Sequence, residues 1–296
     1  MRAWFYLLLA GCSFQHGALP DQDGGRRDGS ATSPDGMRDG TIAATDTDGD
    51  GITDGSDNCP ALANADQANE DGDGPGDVCD NCPHMVNADQ ANADADGVGD
   101  VCDPRPGTAD HIVLFLPFNS ANDIAGWTGA GTNNTFVVTG GALEQQGTTD
   151  LAILWKNGLG YTDQWVTTRV TYNTINNGQQ FRGVAIMSDF ERSTDFGHGG
   201  GCGEMRDSVF MGGVAFRNAV IYNGSGFNNV SGGTSQADVA GGHSQVYRTR
   251  IAGDGTLECL VGTSTYTRTI GAQSGTGINF SVWGATAKFD YLIVID

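Results

Sequence analysis

The chain has 296 residues and a formal net charge of −21, with 36 Asp and Glu against 15 Lys and Arg. Residues 46–103 contain sixteen of these acids and no Lys or Arg, whereas residues 111–296 contain fourteen acids and ten bases. We expect no nucleic-acid partner, because no basic patch exists to displace the counterions of phosphate, and cations are the natural partner of the acidic segment.

Residues 1–12 are predicted to be an export signal. A short positive start precedes an apolar run from Ala3 to Ala10, which is too short for a membrane-spanning helix of about 20 residues. The run ends in the sequence LAGC, which resembles the lipobox of bacterial lipoproteins. That resemblance implies cleavage before Cys12, acylation of its thiol and a lipid anchor in the membrane. We expect a cell-envelope location, at the outer membrane or cell surface, because Ser13 and not Asp follows Cys12. The alternative is an ordinary signal peptide with an incidental Cys.

Residues 13–45 are predicted to be a flexible tether. Asp, Gly, Ser, Thr and Pro dominate this segment, and it offers almost no apolar surface to bury. Such a tether would hold the rest of the chain away from the lipid headgroups. The alternative is that it folds back on the C-terminal domain.

Residues 57–80 and 80–103 are an internal repeat with a period of 23 residues that shares Asp80. Together with residues 46–57 they contain three twelve-residue loops in one register, with oxygen-bearing side chains at positions 1, 3, 5, 9 and 12 and Gly at position 6. This is the spacing of an EF-hand calcium loop, in which position 7 offers its main-chain carbonyl. The predicted calcium ligands are Asp46, Asp48, Asp50, Ile52, Asp54 and Asp57 in the first loop; Asn69, Asp71, Asp73, Pro75, Asp77 and Asp80 in the second; and Asn92, Asp94, Asp96, Val98, Asp100 and Asp103 in the third.

No amphipathic helices flank these loops, so an EF-hand proper is not expected. The segment instead resembles the thrombospondin type 3 repeat, whose pattern is D-x-D-x-D-G-x-x-D-x-x-D-N-C-P followed by N-x-D-Q. That resemblance implies calcium ions wrapped by the chain, with further ligands from Asn64, Asp66, Asn87 and Asp89. Because Asn replaces Asp at position 1 of two loops, we expect weak sites, with dissociation constants of ~10⁻⁴–10⁻³ M.

The cysteine count indicates an oxidising compartment. Apart from Cys12, six cysteines remain, which is enough for three disulfides. The repeat favours sequential pairing, and the predicted pairs are Cys59–Cys79, Cys82–Cys102 and Cys202–Cys259. Residues 46–103 have too few apolar residues for a core, so calcium and disulfides are expected to stiffen them into a stalk. The alternative is zinc at the C-x-x-C of residues 79–82, but His84 is the sole nitrogen ligand nearby, and the many carboxylates favour calcium.

After a linker at residues 104–110, residues 111–296 are predicted to form an antiparallel β-sandwich. Short alternating runs separated by Gly, Asn and Ser are typical of this class. The runs are His111–Phe118, Thr135–Thr139, Leu151–Trp155, Gln164–Tyr172, Phe181–Met187, Val209–Phe216, Ala219–Tyr222, Val246–Ala252, Thr256–Val261, Ile278–Trp283 and Phe289–Ile295. The layout, with Leu114–Phe118, Trp127, Phe136–Leu143 and a closing Lys288–Val294, resembles a concanavalin A-like jelly roll of the laminin-G and lectin type.

No catalytic motif of that fold's glucanases is present, and the domain is not expected to be an enzyme. Residues 195–207 form a candidate ligand loop in which His198, Glu204 and Asp207 would reach a ligand. The favoured interpretation is a mobile glycine-rich loop held by Cys202–Cys259. The strand pattern assigns Trp155, Trp165 and Trp283 to the core, and Tyr161 and Phe227 are the better candidates for stacking on a glycan.

These features predict a calcium-binding cell-surface lipoprotein. In this hypothesis an anchored, calcium-stiffened stalk presents a β-sandwich that binds a glycan or a surface protein in adhesion or recognition. Two alternatives stay open: a hydrolase or lyase acting on polysaccharide, and a passive structural spacer of the envelope.

Overall fold

The computed structural model describes most of the chain after residue 44. The described residues are 45–131, 134–148, 151–159, 163–179, 181–191, 198–207, 215–223, 227–229, 235–236, 241–271 and 275–296. The predicted signal peptide with Cys12, and the predicted tether except its last residue, lie outside these ranges. Residues 44–296 form one compact unit. Within the described part of the chain, no helix has the length and apolar character needed to cross a membrane.

The regular secondary structure of the described residues consists of strands and one short 3-10 helix. Residues 46–103, called the acidic array below, contain turns and bends and no strand. The elements that follow are β1 Ile112–Leu116, a 3-10 helix Ala121–Ile124, β2 Thr128–Gly131, β3 Phe136–Val138, β4 Leu143–Gln145, β5 Leu151–Lys156, β6 Trp165–Ile175, β7 Phe181–Glu191, β8 His198–Asp207, β9 Ala215–Asn223, β10 Phe227–Asn229, β11 Ser235–Gln236, β12 Ser244–Ile251, β13 Thr256–Val261, β14 Ser264–Thr269, β15 Gly277–Trp283, β16 Ala285–Phe289 and β17 Leu292–Ile295.

The strands form two antiparallel sheets. The first sheet has nine described strands in the order β14-β13-β12-β6-β16-β4-β3, and β17 pairs with both β6 and β1. The second sheet has eight described strands in the order β10-β9-β8-β7-β15-β5-β2, and β11 pairs with β9. Buried apolar residues of both sheets belong to one cluster, so the sheets pack face to face. The predicted mainly β class, with an antiparallel sandwich after the acidic array, is confirmed.

Aromatic side chains fill the centre of the sandwich. Phe280 of β15 lies 4.7 Å from Phe289 of β16, 5.6 Å from Trp127 and 6.1 Å from Phe118, between ring centroids. On β15 the even-numbered residues belong to this core, which leaves the odd-numbered ones on the outer face of the second sheet. Phe280, fully buried between the sheets, therefore joins β15 to the opposite layer.

The glycine-rich segment predicted as a loop at residues 195–207 is mostly a strand, which corrects that prediction. β8 lies between β7 and β9 in the second sheet. A Cβ atom at Gly201 would overlap the carbonyl oxygen of Ile186, and one at Gly203 would lie 2.6 Å from that of Val184. Glycine at these positions permits the close approach of the β7 backbone, so a composition typical of loops here serves strand packing.

The C-terminal run Phe289–Ile295 was predicted as one strand but is divided between two. β16 ends at Phe289 and β17 begins at Leu292, so Asp290 and Tyr291 lie at the break. The sequence pattern also missed β14, whose residues STYTRT are polar and mostly exposed. A strand with one paired edge and little buried surface has no alternating apolar signal to reveal it.

Candidate calcium centre

Three groups of carboxylates lie along the acidic array. In each group, one oxygen atom from each of three side chains lies within 4.8 Å of the other two. Glycines at position 6 of the loops, with φ of +98°, +134° and +108°, allow the turns that bring these side chains together. The first cluster is Asp46, Asp48 and Asp50, the second is Asp71, Asp73 and Asp80, and the third is Asp94, Asp96 and Asp103.

The clusters fit a hard cation. The buried oxygens Asp48 Oδ2, Asp71 Oδ2 and Asp73 Oδ1 have no hydrogen-bond partner among the described residues. Desolvation raises the pKa of Asp71 to about 6, and the carboxylates of Asp73 and Asp80 add to the increase. Crowded carboxylates without donors are costly to bury, and an oxygen-seeking divalent cation would offset both the desolvation and the repulsion. Each cluster would hold its ion through the aspartate oxygens.

The position-9 aspartates, which were predicted to be calcium ligands, stabilise the turn of each loop through hydrogen bonds. Asp54, Asp77 and Asp100 accept the backbone N–H of the residue at position 2, at 2.8, 2.8 and 2.7 Å. Asp77 keeps its second oxygen buried and without a partner among the described residues, so it can still contribute to an ion. None of these three residues belongs to a carboxylate cluster in the described chain.

Positions 1 and 12 also support the loop backbone. Asn69 and Asn92 each accept a main-chain N–H three residues later, at 2.7 Å in both cases, as Asp46 does at 2.8 Å. Asp57 accepts the N–H of Cys59 at 2.8 Å. At position 7, Ile52 and Val98 donate their N–H groups to the position-5 aspartates at 2.8 Å, which orients those carboxylates toward the loop centre.

The Asn of each N-x-D segment is hydrogen-bonded to the loop that precedes it. Asn64 donates its backbone N–H to Asp50 at 2.8 Å and its side-chain amide to Asn58 at 2.7 Å. Asn87 repeats both bonds, to Asp73 and Asn81. Asp66 and Asp89 are exposed and lie in none of the three clusters. Through these hydrogen bonds Asn64 and Asn87 stabilise the contact between neighbouring segments of the array. Their role as calcium ligands stays a prediction.

Three disulfides form at the predicted pairs, Cys59–Cys79, Cys82–Cys102 and Cys202–Cys259. The first two each join residues 20 apart, once in each repeat. Because Cys79 and Cys82 belong to different disulfides, the alternative of a zinc site at this C-x-x-C is wrong.

The acidic array packs against the edge of the sandwich. The second disulfide and Val98 share one buried apolar cluster with Tyr291, Ile293 and Ile295. The acidic array is therefore in direct contact with the sandwich. Val98 and the second disulfide supply the buried apolar surface of the array and β17 supplies the complementary side chains, whereas Val86 and Val101 are exposed.

His84 lies at this junction. Its side chain is 5 % exposed, and its ring centroid lies 4.8 Å from that of Tyr291. Desolvation lowers the pKa of His84 to about 3, and the charges of Arg248 and Arg169 contribute to the decrease. The folded protein therefore holds this imidazole neutral at all but strongly acidic pH.

Because the pKa of His84 is depressed in the folded state, the unfolded state binds a proton first as the pH falls below 6.5. We expect the stabilisation at this residue to be complete above pH 6.5 and to decline toward pH 3. In saturating calcium, the free energy of unfolding should fall by about 2 kcal/mol more between pH 7 and 5 in the wild type than in His84→Phe. Urea unfolding at both pH values measures this difference. His111→Phe, at an exposed histidine, should behave as wild type, and an equal pH dependence in His84→Phe would contradict the assignment.

The candidate ligand residues of the glycine-rich segment do not form a described surface site. Glu204 is 2 % exposed and accepts a hydrogen bond from the Tyr247 hydroxyl at 2.9 Å. The hydroxyl of Tyr172 lies 3.1 Å from that of Tyr247, and both rings are in the core. Glu204 is thus a polar group of the interior and not the surface residue that was predicted. The side chains of His198, Asp207, Tyr161 and Phe227 lie outside the described residues.

Trp155 and Trp283 were predicted in the core but lie on the outer face of the second sheet, in a separate cluster with Ala185 and Met187. Asn279 lies between Trp155 and Met187 in the strand register. Its Oδ1 accepts a hydrogen bond from the Ser281 hydroxyl, and its buried Nδ2 has no partner among the described residues. Alternation alone could not tell the two faces of this sheet apart, because both are apolar.

The chain is similar to several solved structures at low sequence identity. Among solved structures, the chain is similar to a carbohydrate-binding module from Bacillus subtilis, at 14 % identity and a TM-score of 0.42, over 56 % of this chain and 92 % of that one. It is similar to a Bacillus licheniformis β-glucanase at 13 % identity and a TM-score of 0.42, over 61 % and 96 %. A legume lectin-like domain from Entamoeba histolytica matches at 12 % identity and a TM-score of 0.40, over 62 % and 96 %.

Curated protein sequences include no match to the chain. The family described as thrombospondin type 3 repeat matches residues 39–67, a span that includes the first loop and the first Cys-Pro. The chain therefore contains a thrombospondin type 3 repeat.

Proposed function

We propose that this protein is a calcium-binding lipoprotein of the cell envelope whose β-sandwich recognises a glycan. The calcium part rests on the three carboxylate clusters, and buried oxygens of the first two have no hydrogen-bond partner among the described residues. Calcium suits them better than magnesium, because it accepts flexible shells of six to eight oxygens and sheds water readily.

The glycan part rests on one observation, the row formed by Trp155, Asn279 and Met187 on the outer face of the second sheet. An indole ring offers an apolar face to the C–H groups of a sugar ring, and Trp155 is partly exposed. Asn279 and Met187 are fully buried beside it, so Trp155 is the member of this row that a sugar would contact.

A glycan array probed with the protein in millimolar calcium would identify the sugar. Cells expressing the full chain should then capture beads coated with that glycan. Trp155→Ala should remain on the cells and lose bead capture by roughly fivefold to thirtyfold, since aromatic stacking on a ligand ring contributes on the order of 1–2 kcal/mol. Val137→Ala, at an exposed apolar residue of the other sheet, should retain capture.

The same assay tests the proposed anchor. Cys12→Ser removes the acylated thiol, so we expect the protein to appear in the medium and the cells to lose bead capture. Retention of the Cys12→Ser protein on cells would refute the lipid anchor. An array without hits would instead favour the envelope spacer, and turnover of a bound polysaccharide would favour the hydrolase or lyase.

A further inference from the structure

The linker between the acidic array and the sandwich organises the third carboxylate cluster. All three acids of that cluster accept a backbone N–H from residues 104–110. Arg105 donates to Asp103 at 2.6 Å, Gly107 donates to Asp94 at 2.8 Å, and Asp110 donates to Asp96 at 2.7 Å. The linker is therefore wrapped around the position that an ion would occupy.

The bond from Asp110 is the third member of a series. Asn64, Asn87 and Asp110 are spaced by 23 residues, and each donates its backbone N–H to the position-5 aspartate of the loop 14 residues before it. The repeat period extended beyond residue 103 would have indicated Asp110. At the first two loops the next segment along the chain is another part of the array. At the third loop it is the sandwich, because β1 begins two residues later at Ile112.

The side chain at the third position differs from its two counterparts. Asn64 and Asn87 are held by Asn58 and Asn81, but the residue at the corresponding place in the third repeat is Pro104, which has no amide to offer. Asp110 is fully buried and pairs with Arg105 at 2.5 Å. This ion pair closes the linker on itself and fixes the two N–H groups at its ends.

The linker continues directly into the sheet. His111 and Asp296 exchange backbone hydrogen bonds at 3.3 and 3.1 Å, and β1 pairs with β17 from Ile112 onward. The opposite face of the third loop, with Val98 and Cys102, packs on Ile293 and Ile295 of β17. An ion in the third cluster and the β1–β17 edge thus share one short rigid segment.

We propose that the third carboxylate cluster is a calcium-dependent latch that fixes the first strand of the sandwich, whereas the first cluster has no such coupling. This inference rests on the calcium binding proposed above. Cation binding at Asp94, Asp96 and Asp103 holds the linker N–H groups in place and suppresses opening of the β1–β17 edge. By linkage, the folded edge raises the calcium affinity of the third cluster by the same factor.

Hydrogen exchange of the β1 amides in the full chain, with calcium stoichiometry measured in parallel by calorimetry, tests the latch. Asp96→Asn and Asp50→Asn are matched variants, because both residues stand at position 5 and accept an equivalent N–H. Both should bind one ion fewer than wild type. We expect β1 exchange to rise about tenfold in Asp96→Asn, within the range typical of coupled sites, and to stay unchanged in Asp50→Asn.

A second variant separates the latch from general damage to the loop. Arg105→Ala keeps every cluster acid and removes the ion pair with Asp110, so β1 exchange in calcium should rise with the stoichiometry unchanged. Equal β1 exchange in Asp96→Asn and wild type, or an equal rise in Asp50→Asn, would overturn the latch while leaving calcium binding in place. A wild-type chain that binds no calcium would overturn the proposed function itself.

Discussion

Chelating calcium at pH 7 is expected to destabilise the acidic array more than any single substitution in it. At 1 mM calcium and a dissociation constant of ~10⁻⁴ M, each site contributes about 1.4 kcal/mol by mass action, or about 4 kcal/mol for three sites. The acidic array depends on this stabilisation by calcium because residues 46–103 have no core of their own. Removing the ions also leaves the buried carboxylates of the second cluster facing one another.

Urea unfolding followed by circular dichroism, in calcium and in chelator, measures this loss. Asp73→Asn removes one carboxylate of the second cluster and should abolish about one third of the calcium dependence. Asp254→Asn is the control, since Asp254 is an exposed acid of the sandwich and belongs to no cluster. Magnesium should restore little, because it requires a compact octahedral shell. An unfolding midpoint that chelation leaves in place would refute a structural role for calcium.

Breaking the second disulfide is expected to cost more stability than breaking the first. Both close loops of the same length, 20 residues apart, so the loss of chain constraint is about 3 kcal/mol for each in the entropy model. The surroundings differ, because both Cys82 and Cys102 are buried in the cluster with Tyr291 and Ile293, whereas in the first pair Cys59 is buried and Cys79 is exposed. Serine at the buried pair adds the desolvation of two hydroxyl groups, about 1–3 kcal/mol each where no partner is found.

The double variants Cys59→Ser/Cys79→Ser and Cys82→Ser/Cys102→Ser therefore form a matched pair. Equilibrium unfolding in saturating calcium should show the second variant to be less stable by at least about 1 kcal/mol. The fluorescence of Trp165, which packs against the same cluster, should shift in the second variant alone. Equal losses of stability in the two variants would mean that the contact between array and sandwich contributes nothing.

Local spacing made the acidic array predictable. Alternate acids around a glycine direct their oxygens to one point whatever the rest of the chain does, so Asp71 and Asp73 could be assigned from the sequence. The disulfides of the two repeats were predictable for the same reason, since each closes within one repeat unit. The alternating runs of β6 and β13 likewise report one buried face, which predicts a sandwich.

The tertiary structure alone decided what depends on register between distant strands. The sequence determined three carboxylate loops, the two disulfides of the repeats and a β-sandwich from patterns within short segments, and Cys202–Cys259 followed as the remaining cysteine pair. The structure decided that Gly201 lies in a strand, that Trp155 faces outward, and that Arg105 and Gly107 of the linker donate backbone N–H groups to the third cluster. It also placed the acidic array on β17, because the side on which Val98 and the second disulfide lie becomes defined only once the loops are folded.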